Sequence, residues 1–576
     1  MHYCHSSEFD YWLRHLTPDE TLEACQRFDE GLESLLEEIV YPGLVRRHEA
    51  SELLRARLRL PVRYLGIGLV SRVELRHAAF AAGFVEAAES FFGPRGFFPL
   101  LAGYVGGDGL DAAVGFVPGG RRFSGAFLEH STVGEGLVEA WGSMQLEFDV
   151  APTTGPLAQH VWLAGDSRDG RLQRALTHQL ARHRHLRVHA GMLARPVECR
   201  MRQSWLRSDR FSQQWVRRYP CGEFVMEALE FRAGVCLNLG LPVGALLSLV
   251  GLPIPCRQRA APRRCDEYGE QAALACLPGA HWDIEHDFFA RVVTSSVYGA
   301  GIRGEDTPRD LFISCGLPLR VVLDPQPGAD LPARRHGIVP DAILRDMPLP
   351  RGMPARWVGA RQLLEFKMLH GGGCEDYRQT RGQTSRRDGG GVGRRAAAVQ
   401  GEYEQHARRL DERFIEPAAR RVRSRDVLAG RVPAGPVLER LREFPPIRAC
   451  VAGAYSEMSH DLHVLASQTA DAGAERAWRH MGCQSQTEAR SHLISRIRSE
   501  WGMAAFMSAA RLLVWRLHEI GLTVAESMAG RQHVQRARAA GPTPWDVQRA
   551  EWAYTDAYLQ RVQLGGAAHQ AAGDGL

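Results

Sequence analysis

Lysine is almost missing from this chain. Lys and Arg together number 71 in 576 residues, and Lys367 is the single Lys among them. A GC-rich coding sequence that replaces lysine by arginine accounts for the bias, and it makes the one survivor worth placing. A secretory leader is also missing. Met1-His2-Tyr3-Cys4 runs into polar, acidic sequence, so an intracellular protein is expected. Residues 233–255 carry no charge, but Asn238, Pro242, Pro253 and Pro255 interrupt them. They read as a buried segment, and a membrane span is excluded. No CxxC pair occurs among the twelve Cys. In a reducing compartment these read as free thiols or metal ligands rather than disulfides. No repeat is present, which excludes a solenoid.

What is present fits a globular protein of two to four domains, with 45% hydrophobic and 24% charged residues. A net charge of +5 permits a nucleic-acid partner without requiring one. Leu32, Leu35, Leu36 and Ile39 give a helical stripe within residues 1–60, with Glu30, Glu33, Glu37 and Glu38 on a solvated opposite face. Residues 90–122 read as loops with short strands, and 155–250 as helices rich in Arg and His. A helix is expected around 281–298, and apolar strands at 311–323, 338–344 and 357–369. Residues 371–395, with two Gly triplets, read as a flexible basic linker, 400–425 as a charged helix, and 436–565 as helical. Leu513, Leu517 and Ile520, stopped by Gly521, illustrate the last pattern. The expected fold class is α+β and predominantly helical, a small mixed β-sheet core flanked by helical N- and C-terminal regions. The divisions expected are 1–250, 251–300, 301–380, 381–400 and 401–576.

The chemistry concentrates in two apolar segments. Gly337-Ile338-Val339-Pro340-Asp341-Ala342-Ile343-Leu344 carries one acid near its middle, and Leu363-Leu364-Glu365-Phe366-Lys367-Met368-Leu369 follows about twenty residues on. In a strand, alternate side chains share a face. Leu364, Phe366 and Met368 then face one way, and Glu365 and Lys367 the other. Two charges on a core strand are costly unless paired. Asp341 and Glu365 on neighbouring strands can hold Mg²⁺, which prefers hard oxygen donors, and Lys367 can orient a water or neutralise charge on a phosphorane. This is the residue set of a PD-(D/E)xK nuclease. The alternative is a surface hairpin with a Glu–Lys pair. Glu305 is the candidate for a further metal-binding acid, with Glu285 behind it.

Upstream, Cys256, Cys265 and Cys276, with His281 and His286, make a candidate degenerate Zn²⁺ knuckle. The alternative is a set of buried thiols. Downstream, Arg378, Arg381, Arg386, Arg387, Arg394 and Arg395 are candidate phosphate contacts, or else a solvated loop.

In this order the segments resemble the C-terminal part of non-LTR retrotransposon proteins that carry a restriction-like endonuclease. The carriers are Cys265-Asp266-Glu267-Tyr268-Gly269-Glu270-Gln271-Ala272-Ala273-Leu274-Ala275-Cys276, then His286-Asp287, Val339-Pro340-Asp341 and Glu365-Phe366-Lys367. Leu60-Pro61-Val62-Arg63-Tyr64-Leu65-Gly66-Ile67-Gly68-Leu69 is similar to the family's LPxRxGGLGL segment after the polymerase palm. Gly435 to Leu517 resembles the family's helical tail. The resemblance implies Mg²⁺-dependent nicking of DNA, an RNA partner from the element itself, and a nuclear location. The chain departs from the family at Gln271, where a zinc-binding His is expected, and at Arg259, where a Cys is. No Asp-Asp dipeptide occurs, so polymerase activity is not expected, and palm and fingers are expected to lie before residue 1. Two rival readings are a catalytically decayed nucleic-acid-binding remnant and a helical scaffold with a chance motif.

Overall fold

In the second of the chain's two units, helices pack against one small four-stranded sheet. The computed structural model describes residues 6–40, 51–92, 136, 139–140, 142–143, 172–218, 221–254, 263–273, 281–308, 311–317, 338–345, 347, 361–369, 371, 374–380, 390–415 and 435–519. The chain divides into two compact units, Met1–Arg195 and Pro196–Leu576. Residues 196–250, expected to go with the N-terminal region, pack within the second unit.

The first unit contains α1 (Ser6–His15), α2 (Pro18–Val40), α3 (Ser51–Arg59), α4 (Arg72–Phe92) and α5 (Leu172–Ala194). Leu13, Cys25, Leu75 and Ala79 form its buried contact. Asp29 caps α4, accepting from Arg72 N–H at 2.8 Å and from Ser71 Oγ. Not all of the acidic face is solvated. Glu33 pairs with Arg59 at 2.6 Å and Arg55 at 3.4 Å, and Glu37 is buried. Between α3 and α4 the chain turns tightly. Leu65 takes φ 66°, and a Cβ on Gly66 would overlap the Leu60 carbonyl, so only glycine fits there.

The second unit continues with α6 (Arg200–Arg207), α7 (Ala228–Leu239), the hairpin of β1 (Pro253–Ile254) and β2 (Arg263–Arg264), α8 (Glu270–Ala273) and α9 (His281–Gly299). Residues 233–243 of the uncharged segment are mostly buried, Leu247, Val250 and Leu252 are exposed, and among the described residues no helix is long and apolar enough to cross a membrane. The main sheet has the order β3 (Arg303–Asp306), β4 (Ala342–Arg345), β5 (Gln362–Met368), β6 (Arg448–Ala452). β3–β4 and β4–β5 are antiparallel, and β5–β6 is parallel. The crossover from β5 to β6 runs through α10 (Glu375–Gln379), α11 (Gly390–Phe414) and α12 (Pro436–Arg442). α13 (His460–Ala477) and α14 (Gln486–Glu519) complete the unit. The fold is α+β and predominantly helical, with one small mixed sheet.

Several elements differ from the sequence reading. Residues 311–317 form turns and a short 3₁₀ segment, not a strand. β3 is exposed throughout, and β6 lies inside a stretch that reads as helix. α11 begins at Gly390, inside the expected linker. A Cβ on Gly391 would run into the Tyr377 ring, so the glycines there allow α10 and α11 to pack closely. Arg381, Arg386 and Arg387 lie outside the described residues.

Beyond β6 lies a buried polar turn. Tyr377 Oη donates to Glu457 Oε1, Tyr455 N–H donates to Glu457 Oε2 at 3.0 Å, and the Arg207 guanidinium lies 4.1 Å over the Tyr377 ring. Burial pushes the Glu457 carboxyl up to about 7 from its ordinary 4.5. Unfolded Glu457 releases its proton near 4.5, while the folded chain keeps it until about 7. The stability this group contributes is therefore fully present below the lower value and is lost as the pH rises to the upper one. The urea midpoint of Glu457→Gln is expected to decline less than wild type over that window. Glu270, raised to about 7 by burial, leaves a residual decline in both. Parallel curves for variant and wild type would refute the assignment.

Candidate active site

The site forms where the β4–β5 ladder ends. Pro340 terminates the pairing, because proline has no N–H to donate. Asp341 N–H still donates to Leu364 O at 3.1 Å. The next β5 donor on that side, Phe366 N–H, lies past the end of β4 and donates to Asp341 Oδ2 at 2.7 Å. The Pro-Asp order thus ends the strand and bends the carboxylate back over β5.

β5 pairs with a strand on each side and is buried at every residue except Lys367. Its pleat separates the side chains as alternation predicts. Phe366 packs edge-on against Phe289 of α9, with ring centroids 6.1 Å apart. Glu365 and Lys367 share the opposite face, toward α11. Lys367 Nζ donates to Glu365 Oε1, and Tyr403 Oη of α11 donates to Glu365 Oε2. The Glu365 side chain is 9% exposed and that of Lys367 32%. This is not a solvated surface pair.

His286 closes the site from α9. It lies three residues before Phe289, on the same helical face, so packing Phe289 onto β5 carries the imidazole to the strand. His286 Nε2 is 3.0 Å from Phe366 O and 3.4 Å from Asp341 Oδ2, and Nδ1 is 3.0 Å from Asp287 Oδ1.

The charges of these groups are interlocked. Burial pushes the Glu365 carboxyl up, and the neighbouring Asp341 charge adds to this, against the pull of Lys367 and Tyr403. Burial also acts to raise Asp341, but His286, the Phe366 N–H and Lys367 outweigh it and hold the carboxyl below its usual range. For His286, burial acts to lower the imidazolium. The Asp341 hydrogen bond and charge, with help from Asp287 and Phe366 O, override it and bring the ring to about 9. Opposed shifts in two neighbouring carboxyls occur at sites of proton transfer, and also in structural ion-pair networks.

The oxygens here are of the chemical kind that binds a divalent ion. Asp341, Glu365 and the Phe366 carbonyl offer hard oxygens, and the Asp341 charge that raises the proton affinity of Glu365 is one that a nearby cation would offset. His286 Nε2 already places a positive group against two of those oxygens.

Other expected residues lie elsewhere. Glu305 is exposed on β3, pairs with Arg345 at 3.3 Å, and lines an open groove of about 500 Å³ with Tyr298, Arg303 and Arg345. Glu285 is buried on α9. Cys265 is buried, with Sγ 3.7 Å from Asp266 O, and His286 turns both ring nitrogens to other partners. The structure does not join these two into a zinc site. Cys256 and Cys276 lie outside the described residues, as does the His281 side chain. Arg394 pairs with Asp376 at 3.1 Å and Arg395 with Glu402 at 2.6 Å, and Arg378 is exposed on α10. Tyr403 carries no motif that marks it in the sequence. Its only signal is helical spacing from residues such as Val399 and Leu410, which bury the same side of α11. No protein-family model matches the chain, and no curated protein matches it in sequence.

Proposed function

We propose that this protein is a metal-dependent endonuclease of the PD-(D/E)xK kind that nicks DNA, derived from a non-LTR retrotransposon protein. One observation carries the reading. Asp341, Glu365 and the chain's single Lys come together at one partly open point on the sheet, with Glu365 buried and the Asp341 side chain 10% exposed. Asp341 and Glu365 would hold Mg²⁺, which when bound supplies Lewis-acid activation of a phosphodiester and of a water. Tyr403 fixes the Glu365 carboxylate, and the Phe366 N–H fixes that of Asp341, so neither has to be reoriented on binding. Lys367, whose side chain is 32% exposed, can reach an incoming phosphate and hold the attacking water.

Two further features support the origin. Leu65, at φ 66°, stands where the LPxRxGGLGL pattern has Gly, the residue that takes this conformation without strain. Asp266 accepts from the main-chain N–H groups of Tyr268 (2.9 Å), Glu270 (3.1 Å) and Gln271 (2.6 Å), and Gly269 takes φ 72°. That is a mechanical reason for the D-x-x-G of the knuckle, and it operates whether or not zinc binds.

The experiment is plasmid nicking by the purified chain. Wild type with Mg²⁺ is expected to convert supercoiled to open circular DNA. Chelation of the metal or Asp341→Ala is expected to stop it. Equal nicking by wild type and Asp341→Ala would remove the proposal. The replacement of the expected knuckle His by Gln271 favours one rival, a nucleic-acid-binding remnant without catalysis. Salt-dependent DNA binding with no Mg²⁺-dependent cleavage would select that rival.

A further inference from the structure

α13 and α14 meet at a corner set by main-chain hydrogen bonds. Met481 N–H donates to Ala477 O (2.9 Å), Gly482 N–H to Arg479 O (3.1 Å) and Cys483 N–H to Trp478 O (3.1 Å), with Gly482 at φ 68°. Ser485 then starts α14, its Oγ accepting from Glu488 N–H at 3.2 Å, while Glu488 Oε2 reaches back to accept from Gln484 N–H at 2.7 Å. His492 follows Glu488 by one turn on the same helical face. As a result a sulfur of Cys483, a carboxylate oxygen of Glu488 and a ring nitrogen of His492 all lie within 4.8 Å of one another.

We propose that Cys483, Glu488 and His492 form a site for a borderline-soft divalent transition-metal ion, best matched by Zn²⁺. Donors at metal–ligand distances of about 2.0 to 2.3 Å around a tetrahedral ion stand roughly 3.3 to 3.6 Å apart, so small side-chain rotations close the set. A thiolate–carboxylate–imidazole combination selects Zn²⁺ over Mg²⁺, which takes oxygen donors and binds thiolate poorly. The Gln484 N–H holds one Glu488 oxygen and aims the other, as outer hydrogen bonds do at metal sites. The thiol loses its proton on binding, and the amino end of α14 favours the resulting anion. The neighbouring cation, Arg490, is turned away to Asp471 and Ser467, so it does not occupy the position. Three protein donors leave the fourth position to water. The ion would tie the corner to the first two turns of α14 and so stabilise the folded chain.

The site differs in residues and chemistry from the Asp341–Glu365 site, and the test keeps them separate. Co²⁺ alone is titrated into the purified full chain. The expected result is a thiolate-to-cobalt charge-transfer band in wild type and in Asp341→Ala. Cys483→Ser is expected to bind one equivalent fewer, and His492→Ala at least ~10-fold more weakly. Zn²⁺ is expected to raise the unfolding temperature of wild type more than that of Cys483→Ser. Both substitutions are near the surface, so folding is preserved and checked by circular dichroism. The proposal is overturned if wild type shows no band, or if Cys483→Ser binds as many equivalents with the same spectrum.

Discussion

Lys367→Arg is expected to lose nicking almost as completely as Lys367→Ala, by roughly 10²- to 10⁴-fold, the usual range for a positioned proton-transfer group. The chain tolerates arginine nearly everywhere that a cation is needed, so charge alone would not keep a lysine. The difference is shape and acidity. An ammonium is compact and points three donors from one atom, so it can bind Glu365 and a water at the same time. A guanidinium is planar, larger and permanently protonated. The Glu365 carboxylate lies under Lys367 with its other oxygen fixed by Tyr403, so a fork-shaped group has no matching pair of free oxygens to meet. DNA affinity at fixed salt is expected to change little, because one positive charge is replaced by another. Single-turnover nicking with saturating Mg²⁺ separates the two effects. Full activity of the Arg variant would show that only charge matters at this position, and the water-orienting role would be abandoned.

The largest stability effect is expected at Glu230→Ala, about 3 to 5 kcal/mol, measured by urea unfolding. Glu230 sits in the first turn of α7 and accepts from Glu227 N–H at 3.2 Å. Its Oε2 lies 3.5 Å from Arg511 Nε on α14, and the side chains are 3% and 2% exposed. Arg511 also donates to Val225 O at 2.8 Å and lies 5.2 Å from the centre of the Phe288 ring. Removing the carboxylate leaves a guanidinium buried with one neutral acceptor, which costs far more than the pair contributes. The double variant Glu230→Met/Arg511→Met is expected to recover most of the loss, because it removes both charges and keeps the volume. A double variant as unstable as Glu230→Ala would show that packing, not charge compensation, makes this contact important.

Much of the candidate site was legible before any coordinates. Asp341 stands at the end of β4, within thirty residues of Glu365 and Lys367 on its partner β5, and alternation alone puts Glu365 and Lys367 on one face. The shell around them was not. Tyr403 reaches Glu365 from an amphipathic helix where a partly buried Tyr is unremarkable. His286 reads as a zinc donor because it follows a cysteine-rich stretch, and only the packing of Phe289 against Phe366 shows where the ring goes. β3, with the sequence Arg-Gly-Glu-Asp, opposes every strand preference. An exposed edge strand is held by its partner's main chain and asks little of its side chains. β6 is five residues long and lies between helical patterns, so no local signal separates it from a buried helix segment.

Local periodicity and residue chemistry settled the predominance of helix, the β4–β5 pair and the identity of its charged residues, since these depend on neighbours within a few positions. Tertiary structure alone decided the order of the sheet, the parallel partner of β5, the helical start at Gly390 and the company that His286, Tyr403 and Arg511 keep. Those outcomes depend on which buried surfaces meet, and the meeting residues lie dozens to hundreds of positions apart. A sequence displays each half of such a contact and does not display the pairing.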